Sequence, residues 1–413
     1  MKVLLIGSGG REHALATGLS ADKSVTELHV APGNPGIKEI AVLHPISISD
    51  NQAIVDLAKS LAVDLVIIGP EMPLVNGVAD ELRAQGIATF GPSKAAAQLE
   101  GSKHFAKGVM RDAGVPTAKS FTCETQKEIE RALDTFGAPY VVKDDGLAAG
   151  KGVVVTEDRE IALQHALSCK RVVIEEYLKG PEISLFGISD GKNILPMQPA
   201  QDFKRAYDHD EGPNTGGMGA YSPLPWAPTN IVEDTYTQVL APMIAEMAAR
   251  GTPFVGLLYA GLAVTDRGIK VIEFNARFGD PETQVLIPRL QTPLGQILYK
   301  AATGNLIDST LHWSDESAVT VVLAANGYPS DVKSGDEISN LNAINGVTIF
   351  HAGTKEDGAL RSAGGRVLTV TGVGSDLTEA RDKAYRTVSQ IKLAGSFYRN
   401  DIALNASVAE KGN

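Results

Sequence analysis

The chain has 413 residues, which is too long for one ordinary hydrophobic core, so two to four domains are expected. An apolar content of 43% with 21% charged residues is typical of globular proteins, and the net charge of −11 argues against bulk attraction of nucleic acid. Cys123 and Cys169 lie too far apart for a metal motif or disulfide framework, as in a reducing cytoplasm. There is no apolar run long enough to span a bilayer and no signal-peptide pattern at the start. We therefore expect a cytoplasmic protein without nucleic-acid or membrane partners.

The first hundred residues alternate apolar strands with helices. Val3–Ile6, Leu28–Val30 and Asp64–Ile68 have strand patterns, and a helix is expected from about Arg11. This alternation predicts a doubly wound parallel sheet of the α/β class, with ligands at the carboxyl ends of its strands.

The turn after the first strand, Gly7–Glu12, resembles a dinucleotide fingerprint only in part. Glu12 occupies the third glycine position, and the second strand ends in Ala31–Gly33 without an acidic residue for a ribose, which disfavours a nicotinamide cofactor. A small phosphate held by Gly9, Gly10 and Arg11 at the helix N-terminus is one interpretation. A tight turn needed only for packing is an equally good one.

From about Gly101 the pattern changes to a small, mostly antiparallel α+β lobe. A helix carrying Lys103 and Lys107 is followed by strand patterns at Pro139–Lys143, Val153–Val155, Arg171–Leu178 and Ile183–Ile188. The segment Gly146–Gly152 is one residue short of a P-loop and runs into a strand, so we interpret it as a glycine-rich hairpin. Its amides and Lys151 could fold over a triphosphate, with Lys143 reaching it from a rigid strand. The alternative is an ordinary hairpin with a solvated lysine.

Two further segments have patterns that suit ligands but also suit plain surface structure. Glu175–Leu178 could present backbone groups to an adenine edge, with Glu182 accepting from ribose hydroxyls, although an ordinary acidic strand end fits this segment better when it is taken alone. The glycine-rich loop Gly212–Gly219, with Asp202 and Lys204 nearby, allows a ligand to approach the backbone. A flexible surface loop is its alternative interpretation.

The stretch Lys270–Thr283 is the most informative part of the chain. Side chains alternate along a strand, so Glu273, Asn275 and Arg277 share one face. A carboxylate and an amide oxygen two residues apart suit Mg²⁺, and the arginine fork suits an anion. Asp280 is expected to be an N-cap, with Pro281 as the first helical residue.

A third unit is expected after about Ile307. It has strand patterns at Val319–Leu323 and Arg366–Val370, and a final helix with an apolar stripe made by Leu377, Ala380, Ala384, Val388 and Ile391. We therefore divide the chain into residues 1–100 (Rossmann-like), 101–307 (with a mobile lobe at about 118–188) and 308–413 (a small α+β domain).

Taken together, these motifs resemble the ATP-grasp superfamily, and within it the family of ligases that join glycine to 5-phosphoribosylamine in purine biosynthesis. The similar segments span almost the whole chain and are GSGGREH, PGN, GPE, FGPSK, GSK, DGLAAGKGV, GPNTGGMGAYSP, EFNARFGDPETQ and FHAGT. DGLAAGKGV and GPNTGGMGAYSP are specific to that ligase family and its nearest relatives, whereas Glu-x-Asn-x-Arg belongs to the wider superfamily.

The resemblance implies ATP with magnesium or manganese as cofactors, and glycine and phosphoribosylamine as substrates of a monomer or weak dimer. The metal would lie on Glu273 and Asn275, and the catalytic side chains would be Arg277, Lys143 and Lys151. The resemblance further implies ATP contacts at Lys103, Lys143, Gly150, Lys151, Gly152, Glu175, Glu176, Tyr177, Leu178 and Glu182. Substrate contacts are expected at Gly9, Gly10, Arg11, Asp202, Lys204, Gly216, Gly217, Met218, Gly219 and Asp280.

Two positions depart from the family pattern: Asp144 replaces a small residue, and Phe203 replaces a histidine. Three other functions remain open. They are another ATP-grasp ligase, such as one that phosphorylates bicarbonate, a nucleotide sensor without catalysis, and an NAD-dependent dehydrogenase.

Overall fold

The computed structural model describes residues 1–147 and 152–411. Its N-terminal part is a parallel sheet of five strands in the order β3-β2-β1-β4-β5. The elements are β1 (Lys2–Gly7), α1 (Gly10–Ala21), β2 (Glu27–Pro32), β3 (Val42–Leu43), α2 (Asn51–Leu61), β4 (Leu65–Ile68), α3 (Glu71–Asn76), α4 (Val78–Ala84) and β5 (Ala88–Phe90). Helices cover this sheet, so β1 and β4 are buried along nearly their whole length, as continuous apolar strands require. The predicted doubly wound sheet is confirmed.

An antiparallel lobe follows, which we define as residues 120–175. Two helices precede it, α5 (Gln98–Gly101) and α6 (Lys103–Asp112). The lobe contains β6 (Ser120–Cys123), α7 (Gln126–Phe136), β7 (Tyr140–Asp144), β8 (Val153–Thr156), α8 (Arg159–Ser168) and β9 (Val172–Glu175), with strand order β6-β9-β7-β8. It has a hydrophobic core of its own, built around Ile129, Leu133 and Val142.

A second antiparallel sheet, the central sheet, has the strand order β11-β10-β16-β17. Its strands are β10 (Glu182–Asp190), β11 (Ile194–Pro196), β16 (Val255–Thr265) and β17 (Gly268–Asn275), and four helices accompany it: α9 (Ile231–Thr235), α10 (Ala241–Ala249), α11 (Thr283–Leu286) and α12 (Leu294–Ala302). The strand predicted at Ile183–Ile188 pairs with β16 and not with the antiparallel lobe, where the sequence pattern had grouped it. Its buried residues face both sides of the central sheet, which local periodicity cannot assign to a partner.

The C-terminal unit, residues 317–411, shares a sheet with the preceding glycine-rich region. The strand order is β12-β15-β18-β22-β19, and β12 and β15 come from that region. The elements are β12 (Gln201–Asp202), β13 (Arg205–Tyr207), β14 (Glu211–Asn214), β15 (Gly219–Ser222), β18 (Ser317–Ala324), β19 (Val347–His351), β20 (Thr354–Glu356), β21 (Leu360–Ser362), β22 (Arg366–Gly374), α13 (Leu377–Val388) and α14 (Leu404–Lys411). Four residues of the predicted apolar stripe, Leu377, Ala380, Ala384 and Val388, are buried on α13. The fifth, Ile391, lies beyond the end of the helix in the same hydrophobic cluster. Within the described ranges, no helix is long and apolar enough to cross a membrane.

Candidate active site

The end of β17 holds the predicted metal pair, Glu273 and Asn275, on one face of the central sheet. Across the sheet, Glu273 is opposite Gly261 and Asn275 is opposite Tyr259. A side chain at Gly261 would come within 3.3 Å of Glu273 Cγ, so the glycine keeps space open beside the carboxylate. Among the described residues, the Glu273 carboxylate makes no hydrogen bond and no ion pair. A cation is the partner that such a carboxylate lacks.

Three lysines surround this carboxylate. Burial alone would raise the pKa of Glu273, but Lys204, Lys143 and Lys103 together lower it below its usual value. Glu273 is therefore ionised at neutral pH. An anionic oxygen within a ring of ammonium groups suits a metal ion together with a multiply charged phosphate.

Arg277 lies just beyond β17 and is held by acidic groups. Its Nη2 lies 3.0 Å from Glu100 Oε1 and donates to Asn275 Oδ1 at 3.2 Å, while its Nε lies 3.4 Å from Glu71 Oε2. Its Nη1 donates to the Phe278 carbonyl at 3.3 Å, so each guanidinium nitrogen of the predicted anion clamp has a protein partner. Its contact with Asn275 also fixes the amide of the metal pair.

The antiparallel lobe contributes Lys143, the predicted phosphate ligand, from β7. Its ammonium lies 2.8 Å from Glu175 Oε2 and donates to the Ile272 carbonyl of β17 at 2.9 Å. Lys103, at the start of α6, donates to the Gly146 carbonyl at 3.0 Å, and burial lowers its pKa although Glu273 opposes the shift. Both lysines therefore lie where the antiparallel lobe meets the central sheet.

The predicted adenine segment, Glu175–Leu178, begins where β9 ends, so the strand is shorter than the sequence pattern suggests. The Glu175 carboxylate is fully engaged, because Lys107 and Lys143 each contact one of its oxygens. Glu176 accepts from the Lys119 amide at 3.0 Å, and Tyr177 is exposed. Backbone groups, and not the Glu175 side chain, are what this segment can offer to a base.

Glu182 and Lys204 form an ion pair of 2.8 Å at the edge of the central sheet. Asp202 lies beside them in β12 and makes no side-chain hydrogen bond with any described residue. Burial raises the pKa of Asp202 to about 7. Lys204 opposes this shift, while the carboxylates of Glu282 and Glu182 add to it.

The N-terminal turn brings Gly9, Gly10 and Arg11 against the Glu-x-Asn-x-Arg region. Arg11 is buried and donates to the Phe278 carbonyl at 3.2 Å. Glu12 accepts from the Gly9 amide at 2.6 Å, and its carboxylate lies so close to Gly69 that an added Cβ there would be 2.2 Å away. The residue that breaks the dinucleotide fingerprint therefore fills the space between strand ends where a third glycine would leave room.

Asp280 joins the glycine-rich loop to the C-terminal unit. Arg366, at the start of β22, lies 3.2 Å from Asp280 Oδ2 and donates to the carbonyls of Asp280 and Gly216, both at 2.6 Å. Gly217, at φ 108°, lies against Pro281, where an added Cβ would be 2.5 Å away. Asp280 is not the predicted N-cap and Pro281 is not the first helical residue, because the next helix begins at Thr283 with Glu282 as its cap.

Not every predicted substrate residue faces this region. Met218 is fully buried, and its backbone pairs with Phe203 and Val322. Gly219 is the first residue of β15, opposite Val321. Met218 and Gly219 are held by backbone hydrogen bonds of the sheet. We therefore expect neither residue to contact the substrate directly.

The hairpin residues Gly150 and Lys151 lie outside the described residues. Gly152 is described, and its carbonyl accepts from the Asp144 amide at 2.7 Å.

The structure gives a local explanation for one departure from the family pattern, Phe203, and none for the other, Asp144. Phe203 packs with its ring 4.9 Å from the Arg399 guanidinium and 6.2 Å from the Tyr221 ring, so this position serves packing. Asp144 lies next to Cys169. Burial raises the pKa of that thiol, and the Asp144 carboxylate adds to the shift.

Sequence reasoning missed four charged residues around the site: Glu71, Glu100, Lys107 and Arg366. Each of them contacts a residue that is distant in the sequence. Glu100, for example, accepts a hydrogen bond from the Ala276 amide at 2.8 Å. The motifs GPE and GSK lie at or next to Glu71 and Glu100, but a local motif does not indicate which distant residue its side chains contact.

Lys103 and Lys143 lie where the antiparallel lobe meets the candidate metal pair of the central sheet. With a parallel-sheet domain before them, this arrangement defines an ATP-grasp protein. Family models of phosphoribosylglycinamide synthetase match the chain over residues 1–100 (N domain), 101–283 (ATP-grasp (A) domain) and 318–405 (C domain). The chain belongs to the phosphoribosylglycinamide synthetase family.

Curated relatives agree over the full length. A phosphoribosylamine–glycine ligase of Streptomyces coelicolor is 60% identical, with 99% of this chain and 100% of that protein covered. The protein of the same name from Mycobacterium leprae is 52% identical, with 98% and 99% covered.

Solved structures show the same architecture. The crystal structure of the Thermotoga maritima phosphoribosylamine–glycine ligase has a TM-score of 0.84 at 34% identity and covers 98% of this chain and 100% of that one. A biotin carboxylase from Campylobacter jejuni has a TM-score of 0.74 at 16% identity, with 99% and 98% covered, which is a likeness of fold alone.

Proposed function

We propose that this chain ligates glycine to 5-phosphoribosylamine at the expense of ATP, giving glycinamide ribonucleotide, ADP and phosphate in purine biosynthesis. The observation that carries the proposal is the ionised Glu273 beside Asn275, which has no ion-pair partner within the part of the chain that the structure describes and whose pKa is lowered by Lys143 and Lys103. Relatives named phosphoribosylamine–glycine ligase, which align with this chain over almost their whole length, support the choice of substrates.

In this proposal the nucleotide lies between the antiparallel lobe and the central sheet. Lys103, Lys143 and Lys151 would neutralise its phosphates, and the backbone amides of the hairpin residues Gly150 and Gly152 would donate to them. Backbone groups of Glu175–Leu178 would meet the adenine, and Glu182 would meet the ribose. Glu273 and Asn275 would hold Mg²⁺ or Mn²⁺, and the hard oxygen donors of these two side chains fit either ion.

The substrates would bind on the other side of the metal pair. Arg277 is proposed to steady the glycine carboxylate or the transferring phosphoryl group. Gly9, Gly10, Arg11, Asp280 and the Gly216–Gly217 turn are proposed to hold phosphoribosylamine, with Asp202 and Lys204 nearby.

The chemistry follows from the poor reactivity of a carboxylate toward amines. Transfer of the γ-phosphoryl group to glycine would give glycyl phosphate, whose phosphate is a good leaving group when the phosphoribosylamine nitrogen attacks. Phosphoryl transfer needs positioning and charge neutralisation more than a protein nucleophile. The lysines, Arg277 and the metal pair supply these two needs, so no covalent enzyme intermediate is required.

The proposal includes the domain division at residues 1–100, 101–307 and 308–413. Its mobile lobe is narrowed from about 118–188 to residues 120–175, because β10 pairs with β16 of the central sheet. It also includes a cytoplasmic location and a monomer or weak dimer.

The direct test is magnesium-dependent ADP formation by the purified protein with glycine and freshly generated phosphoribosylamine, omitting each in turn. ADP formation that requires both substrates is expected. ADP formation with bicarbonate and without glycine would replace the substrate assignment, and a protein that binds ATP but never releases ADP would be a sensor.

A further inference from the structure

We propose that Lys107 is a positioning residue for nucleotide binding, because it shares the buried carboxylate of Glu175 with Lys143. The inference rests on the ATP site proposed above and adds to it a residue that lies beyond the phosphate-binding lysines.

The three side chains form one buried charge network. Lys107 Nζ lies 2.9 Å from Glu175 Oε1, and Lys143 Nζ lies 2.8 Å from Glu175 Oε2. Only 3% of Lys143 and 3% of Glu175 is exposed. Lys107 is further fixed by donating to Thr117 Oγ1 at 2.9 Å and to the Ala118 carbonyl at 3.0 Å.

This network joins the antiparallel lobe to the rest of the chain. Glu175 and Lys143 belong to the lobe, whereas Lys107 lies on α6 outside it. A neighbouring contact also crosses this boundary, because Lys143 donates to the Ile272 carbonyl of β17 at 2.9 Å. Thr117, which accepts from Lys107, donates in turn to the Val271 carbonyl at 2.6 Å, so Lys107 is tied to the same strand. The network therefore sets where Lys143 stands relative to β17 and its metal pair.

The consequence is electrostatic. Two ammonium groups and one carboxylate leave a net charge of +1 at the network, from +2 and −1. Without Lys107 the remaining Lys143–Glu175 pair is neutral, and Lys143 is then the only ion-pair partner of the Glu175 carboxylate among the described residues. A nucleotide phosphate then meets less positive charge on an ammonium group that is bound more tightly to the protein.

The test is calorimetric titration of MgADP into the wild-type protein, Lys107→Met, Lys107→Arg and Lys127→Met. Lys127 is an exposed lysine on α7 and is the matched control. We expect Lys107→Met to weaken MgADP binding about tenfold, Lys107→Arg to bind within about threefold of wild type, and the control to bind normally. In turnover, Lys107→Met should raise KM for ATP about tenfold with kcat changed less than about twofold.

Binding of MgADP to Lys107→Met with unchanged affinity would overturn the inference, even if its melting temperature falls. If wild type itself does not bind MgADP, the proposed ATP site fails instead, so the two failures are distinguishable.

A second comparison does not depend on the methionine variant folding. Burial lowers the pKa of Lys107, which faces Glu175, Lys143 and Glu176, the last paired with Lys270. MgADP affinity of wild type should therefore fall more steeply from about pH 8 to about pH 10 than that of Lys107→Arg, whose guanidinium stays charged. Identical pH profiles for the two proteins would contradict the assignment.

Discussion

The antiparallel lobe and the C-terminal unit are attached to the central sheet in opposite ways. The lobe keeps its own hydrophobic core, and it contacts its surroundings through polar groups such as Lys107–Glu175, Lys143–Ile272 and Ser102–Asp145. The C-terminal unit instead shares one apolar cluster with the central sheet, in which Leu323 and Leu258 are both members. It also takes strand β15 from the glycine-rich region into its own sheet.

The difference teaches which part of the site can move. Exposed polar contacts can be exchanged for water or ligand at small net cost, so we propose that the lobe shifts as a unit around a nucleotide, with the buried Lys107–Glu175 pair as the contact that holds its position. Separating two units that share an apolar core would expose buried apolar surface to water, which is unfavourable. We therefore expect the C-terminal unit, with Arg366, to keep a fixed position relative to the central sheet. We expect substitutions in the lobe to change nucleotide affinity and those in the C-terminal unit to change substrate binding or global stability.

The largest effect is expected on the central sheet between the two regions. Glu273→Ala removes the only carboxylate of the proposed metal pair, so kcat/KM should fall at least about a thousandfold while the melting temperature stays near wild type. Glu233→Ala, on exposed α9, is the control for losing an acidic side chain. Near-normal turnover of Glu273→Ala at ordinary magnesium would refute the metal assignment.

Equal deletions in the two cores test the contrast in attachment. Leu133 in the lobe and Leu323 in the C-terminal unit are both fully buried, and each Leu→Ala change should cost about 3 kcal/mol of local stability. Hydrogen exchange should show faster opening confined to residues 120–175 for Leu133→Ala, but faster global opening for Leu323→Ala. If both variants open globally, the lobe is not a separate cooperative unit.

A substitution of Arg366 tests whether the C-terminal unit contributes to substrate binding. Arg366→Met removes the contacts to Asp280 and Gly216, so KM for phosphoribosylamine should rise about thirtyfold, or about 2 kcal/mol, with KM for ATP changed less than about twofold. Arg386→Met, exposed at the end of α13, controls for loss of an arginine from the same unit. Equal increases in KM for phosphoribosylamine and KM for ATP would mean that Arg366 does not act specifically on phosphoribosylamine binding.

A smaller effect is expected where the C-terminal unit meets the N-terminal sheet. Burial lowers the pKa of His13 to about 3 and that of His351 to about 4, and His13 Nδ1 accepts from the His351 amide at 2.8 Å. The unfolded chain binds these protons near pH 6.5 and the folded one does not, so stability is lost as pH falls below about 6.5. For each histidine, acidification from about pH 7 to about pH 5.5 should lower the free energy of unfolding by about 1 kcal/mol, because only the unfolded chain binds the proton.

Denaturant unfolding of wild type and His13→Asn across that range checks this effect. The variant should lose less stability on acidification. A pH slope equal to that of wild type would show that His13 is protonated in the folded state as readily as in the unfolded chain.

The sequence predicted what depends on neighbours in the chain. The shared face of Glu273 and Asn275 follows from strand alternation, and the parallel N-terminal sheet follows from its alternating apolar runs. The missed features depend on distant pairs: Arg366 reaches Asp280 across 86 residues, and Glu100 reaches Ala276 across 176. The assignment of β10 to the central sheet was missed for the same reason, because periodicity gives the burial of a strand but not its partner.

The most direct test of the proposed chemistry uses glycine labelled with ¹⁸O in both carboxylate oxygens, with mass spectrometry of the released phosphate. Activation as glycyl phosphate predicts one ¹⁸O atom in each phosphate and one retained in each glycinamide ribonucleotide. Phosphate without label, formed in step with the product, would contradict phosphoryl transfer to the glycine carboxylate and with it the central claim.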